Sequence, residues 1–247
     1  MRRRYRDALG RFLAKGPQAV REALAAGLVE EIFVEVGRSV ELDLGGIHTT
    51  AVTTAGLAAL AETVTPQGVV AVCRQRHHDD LAPLLRPRPD LVAVLAGIAD
   101  PGNAGTVLRT ADAAGAAAVV FPDGTVDPYN GKCVRASAGS LFHVELVRGG
   151  RAEDAVDALR TAGLTVLAAD AYGADDLDDL AADGRLARPT AWLFGSEAHG
   201  LPAELADRAD ARVRVPIHGR AESLNLAAAA AVCLYSSARA QRQGAPS

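Results

Sequence analysis

Three stretches of the chain put polar side chains where loops need only turn residues: DPGNAGTVLRTADAAG (Asp100–Gly115), GSEAHGLP (Gly195–Pro202) and PIHGRAESLN (Pro216–Asn225). The first reads as a glycine-rich loop feeding a helix, with Arg109 six residues beyond Asn103. A guanidinium grips anionic oxygen in a fork and keeps its charge at neutral pH, so Arg109 suits a phosphate or a developing alkoxide. Glu197, Ser223 and Asn225 add a carboxylate, a hydroxyl and an amide. Each also has a plain structural reading. Arg109 would be a core-edge arginine beside a carboxylate, and Asn103 would cap its helix. Ser223 and Asn225 would cap the last helix, and Glu197 would be an exposed loop acid.

The commonest glycine-loop chemistries are excluded. The first loop lacks the Gly-Lys-Ser/Thr of a phosphate-binding loop, and Gly97, Gly102 and Gly105 do not fit the dinucleotide spacing. The acid-then-alternating-glycine loop of the commoner methyltransferases also fails, because Ala104 and Thr106 stand where glycines are required. Gly105 allows a close backbone approach.

Strands must place these loops. Apolar runs predict strands at 30–36, 48–53, 68–73, 91–97, 117–121, 164–169, 190–194 and 211–216. Helical periodicity predicts helices at 18–26, 56–62, 104–114, 130–138, 152–162 and 224–240, with the last residues, 241–247, fraying. Continuous apolar strands alternating with helices imply parallel sheets covered on both faces, hence an α/β protein. The three polar loops each follow a strand, where open α/β sheets bind ligands. The Pro/Arg segment RPRPD (86–90) reads as a stiff exposed joint, dividing the chain into 1–88 and 89–247.

Composition narrows the class. Apolar residues make up 49% and aromatics 4% of 247 residues, so the core rests on Ala, Val, Leu and Ile. No run suits a bilayer span or a signal peptide. Cys73, Cys133 and Cys233 have no paired spacing and fit free thiols in a reducing cytoplasm. No metal site is expected, and His77-His78 reads as a solvated loop. Net charge is −4, yet residues 1–21 hold seven basic residues against one acid, the composition of a phosphate-contacting arm.

Asn103–Ala111 resembles motif 1 of the SpoU-type RNA 2'-O-methyltransferases of the SPOUT class. LFGSEAHGLP (193–202) looks like their motif 2, with Ala198 where many relatives have Gly, and VPIHGRAESLNLAAAAAVCLY (215–235) looks like motif 3. GRFLAKGPQAVREAL and TPQGVVAVC resemble the family's ribosomal-protein-like substrate-binding extension. The resemblance implies a C-terminal SPOUT α/β domain with a deep trefoil knot, preceded by a smaller α/β RNA-binding domain. It implies S-adenosyl-L-methionine as cofactor, held largely by backbone groups at Gly195, Val215, Ile217 and Leu224. Arg109, Asn103, Glu197, Ser223 and Asn225 fall at the family's catalytic positions, with Glu197 placed to pair with Arg109; His199 and His218 are bystanders. A homodimer through the knotted domain, a cytoplasmic location and a structured RNA substrate, 23S ribosomal RNA first, also follow from the family. A tRNA 2'-O-methyltransferase and a non-catalytic ribosome-assembly factor are the alternatives. Whether Arg109 would act as base or as electrostatic positioner stays open.

Overall fold

A parallel sheet needs a helical crossover between strands, and the second half supplies one after nearly every strand. The computed structural model describes residues 1–63 and 65–244. The first half runs α1 (Arg3–Leu9), β1 (Arg11–Lys15), α2 (Pro17–Ala25), β2 (Val29–Glu35), β3 (Thr49–Val52), α3 (Thr54–Ala61) and β4 (Val69–Arg74). Its sheet has the order β1-β4-β2-β3. β4 is antiparallel to both neighbours and only β2–β3 is parallel, so this sheet is mixed, where a parallel one was expected.

The second half runs β5 (Leu91–Leu95), α4 (Pro101–Ala114), β6 (Ala118–Phe121), α5 (Gly131–Ala136), β7 (Glu145–Arg148), α6 (Ala152–Thr161), β8 (Thr165–Ala169) and β9 (Asp175–Asp176). It continues through α7 (Leu177–Ala182), β10 (Thr190–Phe194), α8 (Ala203–Ala206), β11 (Ala211–Arg214) and α9 (Leu226–Gly244). The sheet order is β7-β6-β5-β10-β8-β11-β9 and every pairing is parallel. Pleat alternation sorts its side chains: Leu95, Trp192 and Phe194 join α4, α5 and α9, while Val92, Val94 and Leu193 join α6 and α8. Helix α9 continues through 241–244, which were expected to fray; 245–247 lie outside the described residues.

The two halves share one core. Phe12 of β1 packs its ring 4.8 Å from that of Tyr129 and 5.9 Å from that of Phe142. Arg6 is buried and donates to Asp127 Oδ2 from Nε at 2.9 Å and Nη2 at 2.6 Å. The expected free basic arm is therefore a helix with one arginine turned inward, because a buried carboxylate at 127 needs a cation. Lys15 is also withdrawn, its Nζ on the Ala61 carbonyl at 2.7 Å. The strand-like pairing of His78 with Val147 lays residues before the RPRPD segment against the second half, and Pro89 within that segment is buried. His78 donates or accepts at Glu145 (3.0 Å), and His77 packs near Tyr129, so the His pair is anchored rather than solvated.

Candidate active site

Strand order places the three polar loops together. β5 leads outward to β6 and β7, while β10 pairs with β5 on its other side, so the β5/β10 boundary is where the strand order reverses. Such switch points leave a crevice beyond the strand ends.

The loop after β5 turns into α4 at Asp100, whose carboxylate caps the helix by accepting from the Gly102 N–H, with Pro101 in the first turn. The expected cap, Asn103, lies one turn inside. An Asp-Pro pair is a strong helix start, because proline's fixed φ suits the first position and its missing N–H costs nothing there. That signal in the sequence marks the true boundary. Lys132 Nζ donates to Asp100 Oδ1 at 2.7 Å, adding a cation at the rim that the motifs did not single out.

Freed from capping, Asn103 joins the loops. Its Nδ2 donates to Glu197 Oε1 at 3.0 Å, and its Oδ1 accepts from Asn225 Nδ2 at 3.3 Å. Glu197 also accepts from the backbone N–H groups of Ala99 and Asp100, both at 3.3 Å. One hydrogen-bonded chain therefore runs Asn225–Asn103–Glu197 across all three loops. Partial burial pushes the Glu197 carboxyl up, but the bonds from Asn103 and the two N–H groups outweigh it and hold the group below the ordinary value.

Glu197 sits on a hairpin closed by Ser196 N–H to the Gly200 carbonyl (3.0 Å) and the reverse bond (2.9 Å). Gly195 enters that hairpin so closely that a Cβ there would collide with the backbone of Gly200 and Leu201. Gly105 meets the backbone and side chains of α5 in the same way. It is a packing glycine between α4 and α5, and the close approach is to a helix. At the third loop, Asn225 Oδ1 accepts from Ala227 N–H at 2.9 Å and caps α9. Ser223 is exposed and takes no part in that cap.

Arg109 lies elsewhere. Six helical residues separate it from Asn103, about 9 Å along the axis and about 120° around it. It faces solvent and has no ion pair among the described residues, so it is not the expected core-edge arginine. Glu197 pairs with Asn103 in its place.

Val215, Ile217 and Leu224 lie on an irregular segment whose backbone, from 215 to 224, makes no backbone–backbone hydrogen bond among the described residues. Val215 is half-buried; Ile217 and Leu224 are 37% and 39% exposed. Unpaired amides and carbonyls beside apolar side chains fit a small molecule carrying an adenine-like ring and polar ends. No cluster suited to a metal ion occurs among the described residues. All three cysteines are buried free thiols, each pushed up to about 12 by burial, which excludes them as nucleophiles.

Residues 90–235 match the SpoU rRNA Methylase family, and residues 1–71 match the MRM3-like substrate binding domain. The chain belongs to the SpoU rRNA methylase family. Among this SpoU chain's relatives, 23S rRNA (guanosine(2553)-2'-O)-methyltransferase RlmP of Bacillus subtilis is 36% identical, covering 94% of this chain and 90% of its own. The 23S rRNA (guanosine-2'-O-)-methyltransferase RlmB of Bordetella pertussis is 32% identical over 87% and 91%. The SpoU methyltransferase AviRb from Streptomyces viridochromogenes, in complex with the cofactor AdoMet, superposes with a TM-score of 0.84 at 30% identity, covering 98% and 95%. The SpoU chain thus has the α/β SPOUT fold with a smaller sheet in front, and S-adenosylmethionine is its cofactor.

Proposed function

We propose that this SpoU chain methylates a ribose 2'-hydroxyl of a guanosine in 23S ribosomal RNA. The observation that carries the reading is the Asn225–Asn103–Glu197 chain, which joins the three motifs at one crevice. Relatives that span nearly the whole chain are named as 23S rRNA enzymes. A structure concerned with 2'-OH methylation of C/U34 on tRNA covers only 63% of this chain, at 33% identity and a TM-score of 0.54.

S-adenosylmethionine supplies an electrophilic methyl group when bound. Gly195, Val215, Ile217 and Leu224 would hold it, mostly through backbone groups. Asn103 and Asn225, each fixed by the other, would orient the ribose. Orientation of this kind lowers barriers by up to about 7–11 kcal/mol in well-ordered cases. Ser223, exposed beside them, is free to contact the incoming sugar. Glu197 holds the Asn103 amide. Arg109, exposed and without an ion partner among the described residues, would grip a substrate phosphate or stabilise developing alkoxide charge.

We divide the chain into a substrate-binding part, 1–88, and a methyltransferase part, 89–247. A trefoil knot in the second part is supported by the late insertion of β10 and β11 between strands already placed. A homodimer is supported by an exposed stripe on α9: Ala228, Val232 and Tyr235, continuing from Leu224. Among the described residues no helix is long and apolar enough to cross a membrane, and a ribosomal RNA substrate supports a cytoplasmic location.

The test is transfer of labelled methyl from S-adenosylmethionine to 23S ribosomal RNA, with mapping of the modified ribose. No labelled RNA would overturn the reading.

A further inference from the structure

On the other side of the Ser196–Gly200 hairpin lies a cavity of about 400 Å³, within the range of small-molecule sites. Ala96, Ala152, Pro202 and Leu205 give it apolar walls, and Asp123 and Arg151 stand at its polar edge. Asp123 takes no side-chain hydrogen bond or ion pair among the described residues, while Arg151 Nε lies 3.3 Å from Glu153 Oε2. The cavity adjoins the proposed active site directly: its wall residue Ser196 precedes Glu197, and its floor residue Gly97 is two residues from Ala99, which bonds Glu197.

We propose that this cavity receives the guanine base of the target nucleotide and that Asp123 reads it. The inference rests on the methyltransferase reading above. In a nucleotide the base is attached to the carbon next to the one bearing the 2'-hydroxyl. For a ribose held at Asn103, the cavity beside the Ser196–Gly200 hairpin, which carries Glu197, is the place we assign to its base. Single-stranded RNA bases are commonly splayed out, stacked between apolar or guanidinium surfaces and bonded along their pairing edge. The apolar walls supply the stacking surface, with the Arg151 guanidinium at the edge. Guanine alone among the four bases presents two adjacent N–H donors, N1 and N2, on that edge. An unpaired carboxylate accepts both, and it repels the ring nitrogen acceptors of adenine and cytosine. Glu153 is the other acid at the edge, but Arg151 already engages it.

Guanosine, inosine and adenosine 5'-monophosphates test this on the full chain by saturation-transfer NMR titration. The guanine nucleotide should bind with millimolar-scale affinity, and the other two should bind about tenfold or more weakly. Asp123→Asn, at an exposed position without a side-chain partner among the described residues, should bring guanine binding down to the adenine level. It should also lower kcat/KM on 23S ribosomal RNA about tenfold with the Kd for S-adenosylmethionine unchanged. Equal binding of guanine and adenine nucleotides, or an unaltered Asp123→Asn variant, overturns the proposal. So does submicromolar binding of the free nucleotide, which would mark a metabolite site. Selective guanine binding lost in Asp123→Asn, with no methyl transfer to any RNA, would sustain guanine recognition here and overturn the methyltransferase reading instead.

Discussion

Asn103 and Glu197, 94 positions apart in the chain, meet through an amide-to-carboxylate hydrogen bond of 3.0 Å that ties the first polar loop to the second. The bond makes Glu197 a holder of loop geometry. Glu197→Ala should leave stability within about 1.5 kcal/mol, since water replaces the lost partners of an exposed group. It should lower kcat about 100-fold, because the ribose site loses alignment. The carboxyl is held below its unfolded value of 4.5, so its contribution is present above that pH and is lost as pH falls through the folded-state value. Acid titration of wild type against Glu197→Gln, followed by circular dichroism, should show the difference vanish on the acid side only.

Arg109 separates catalysis from folding. It is exposed and unpaired among the described residues, so Arg109→Ala should shift stability by less than about 0.5 kcal/mol. Methyl transfer should fall by at least about 100-fold, as when a donor to developing negative charge is removed. Calorimetry should find cofactor affinity nearly intact. An Arg109→Ala enzyme that turns over normally would remove this residue from the mechanism.

Gly195 tests the hairpin. An added Cβ meets the Gly200–Leu201 backbone, which cannot yield as a side-chain tip can. Gly195→Ala should cost about 1–3 kcal/mol of stability. It should also weaken S-adenosylmethionine binding, read by thermal shift with and without cofactor.

His143 links the two halves, its Nδ1 2.9 Å from Asp112 on α4 and its Nε2 3.2 Å from Glu22 on α2. The hydrogen bond to Asp112, against the opposing pull of burial and with help from Glu22, raises its pKa above the ordinary 6.5. A raised folded-state pKa gives stability that is complete below 6.5 and is lost as pH rises through the folded value. The Tm of wild type should exceed that of His143→Gln at pH 6, and the gap should close by about pH 9. A gap that widens with pH would contradict this linkage.

Val232 and Tyr235, 40% and 51% exposed, lie on the α9 stripe proposed as the dimer surface. Tyr235→Glu should convert a dimer to a monomer in light scattering at micromolar concentration, because a buried unpaired carboxylate is costly. A wild-type monomer would refute the dimer.

Local pattern made much of this protein legible. Apolar runs and helical spacing located β5, α4, β10, β11 and α9, which flank the polar loops, because a doubly covered parallel sheet leaves its strands continuously apolar. The same pattern missed α1, β1, β7, β9, α7 and α8. A short helix with Arg6 turned inward reads as a charged tail until the distant Asp127 is known to receive it, and β7 alternates too briefly to stand out. The motif residues were visible as types at a spacing, but their relations were not. Sequence alone determined that Asn103, Glu197 and Asn225 lie beyond strand ends. Only the tertiary structure decided that Asn103 bonds Glu197, that Asp100 caps α4 and that Arg109 looks outward. The physical reason is that a hydrogen bond is satisfied by whichever group arrives within about 3 Å in the right direction. Arrival is fixed by the order of strands in the sheet, which local pattern does not encode.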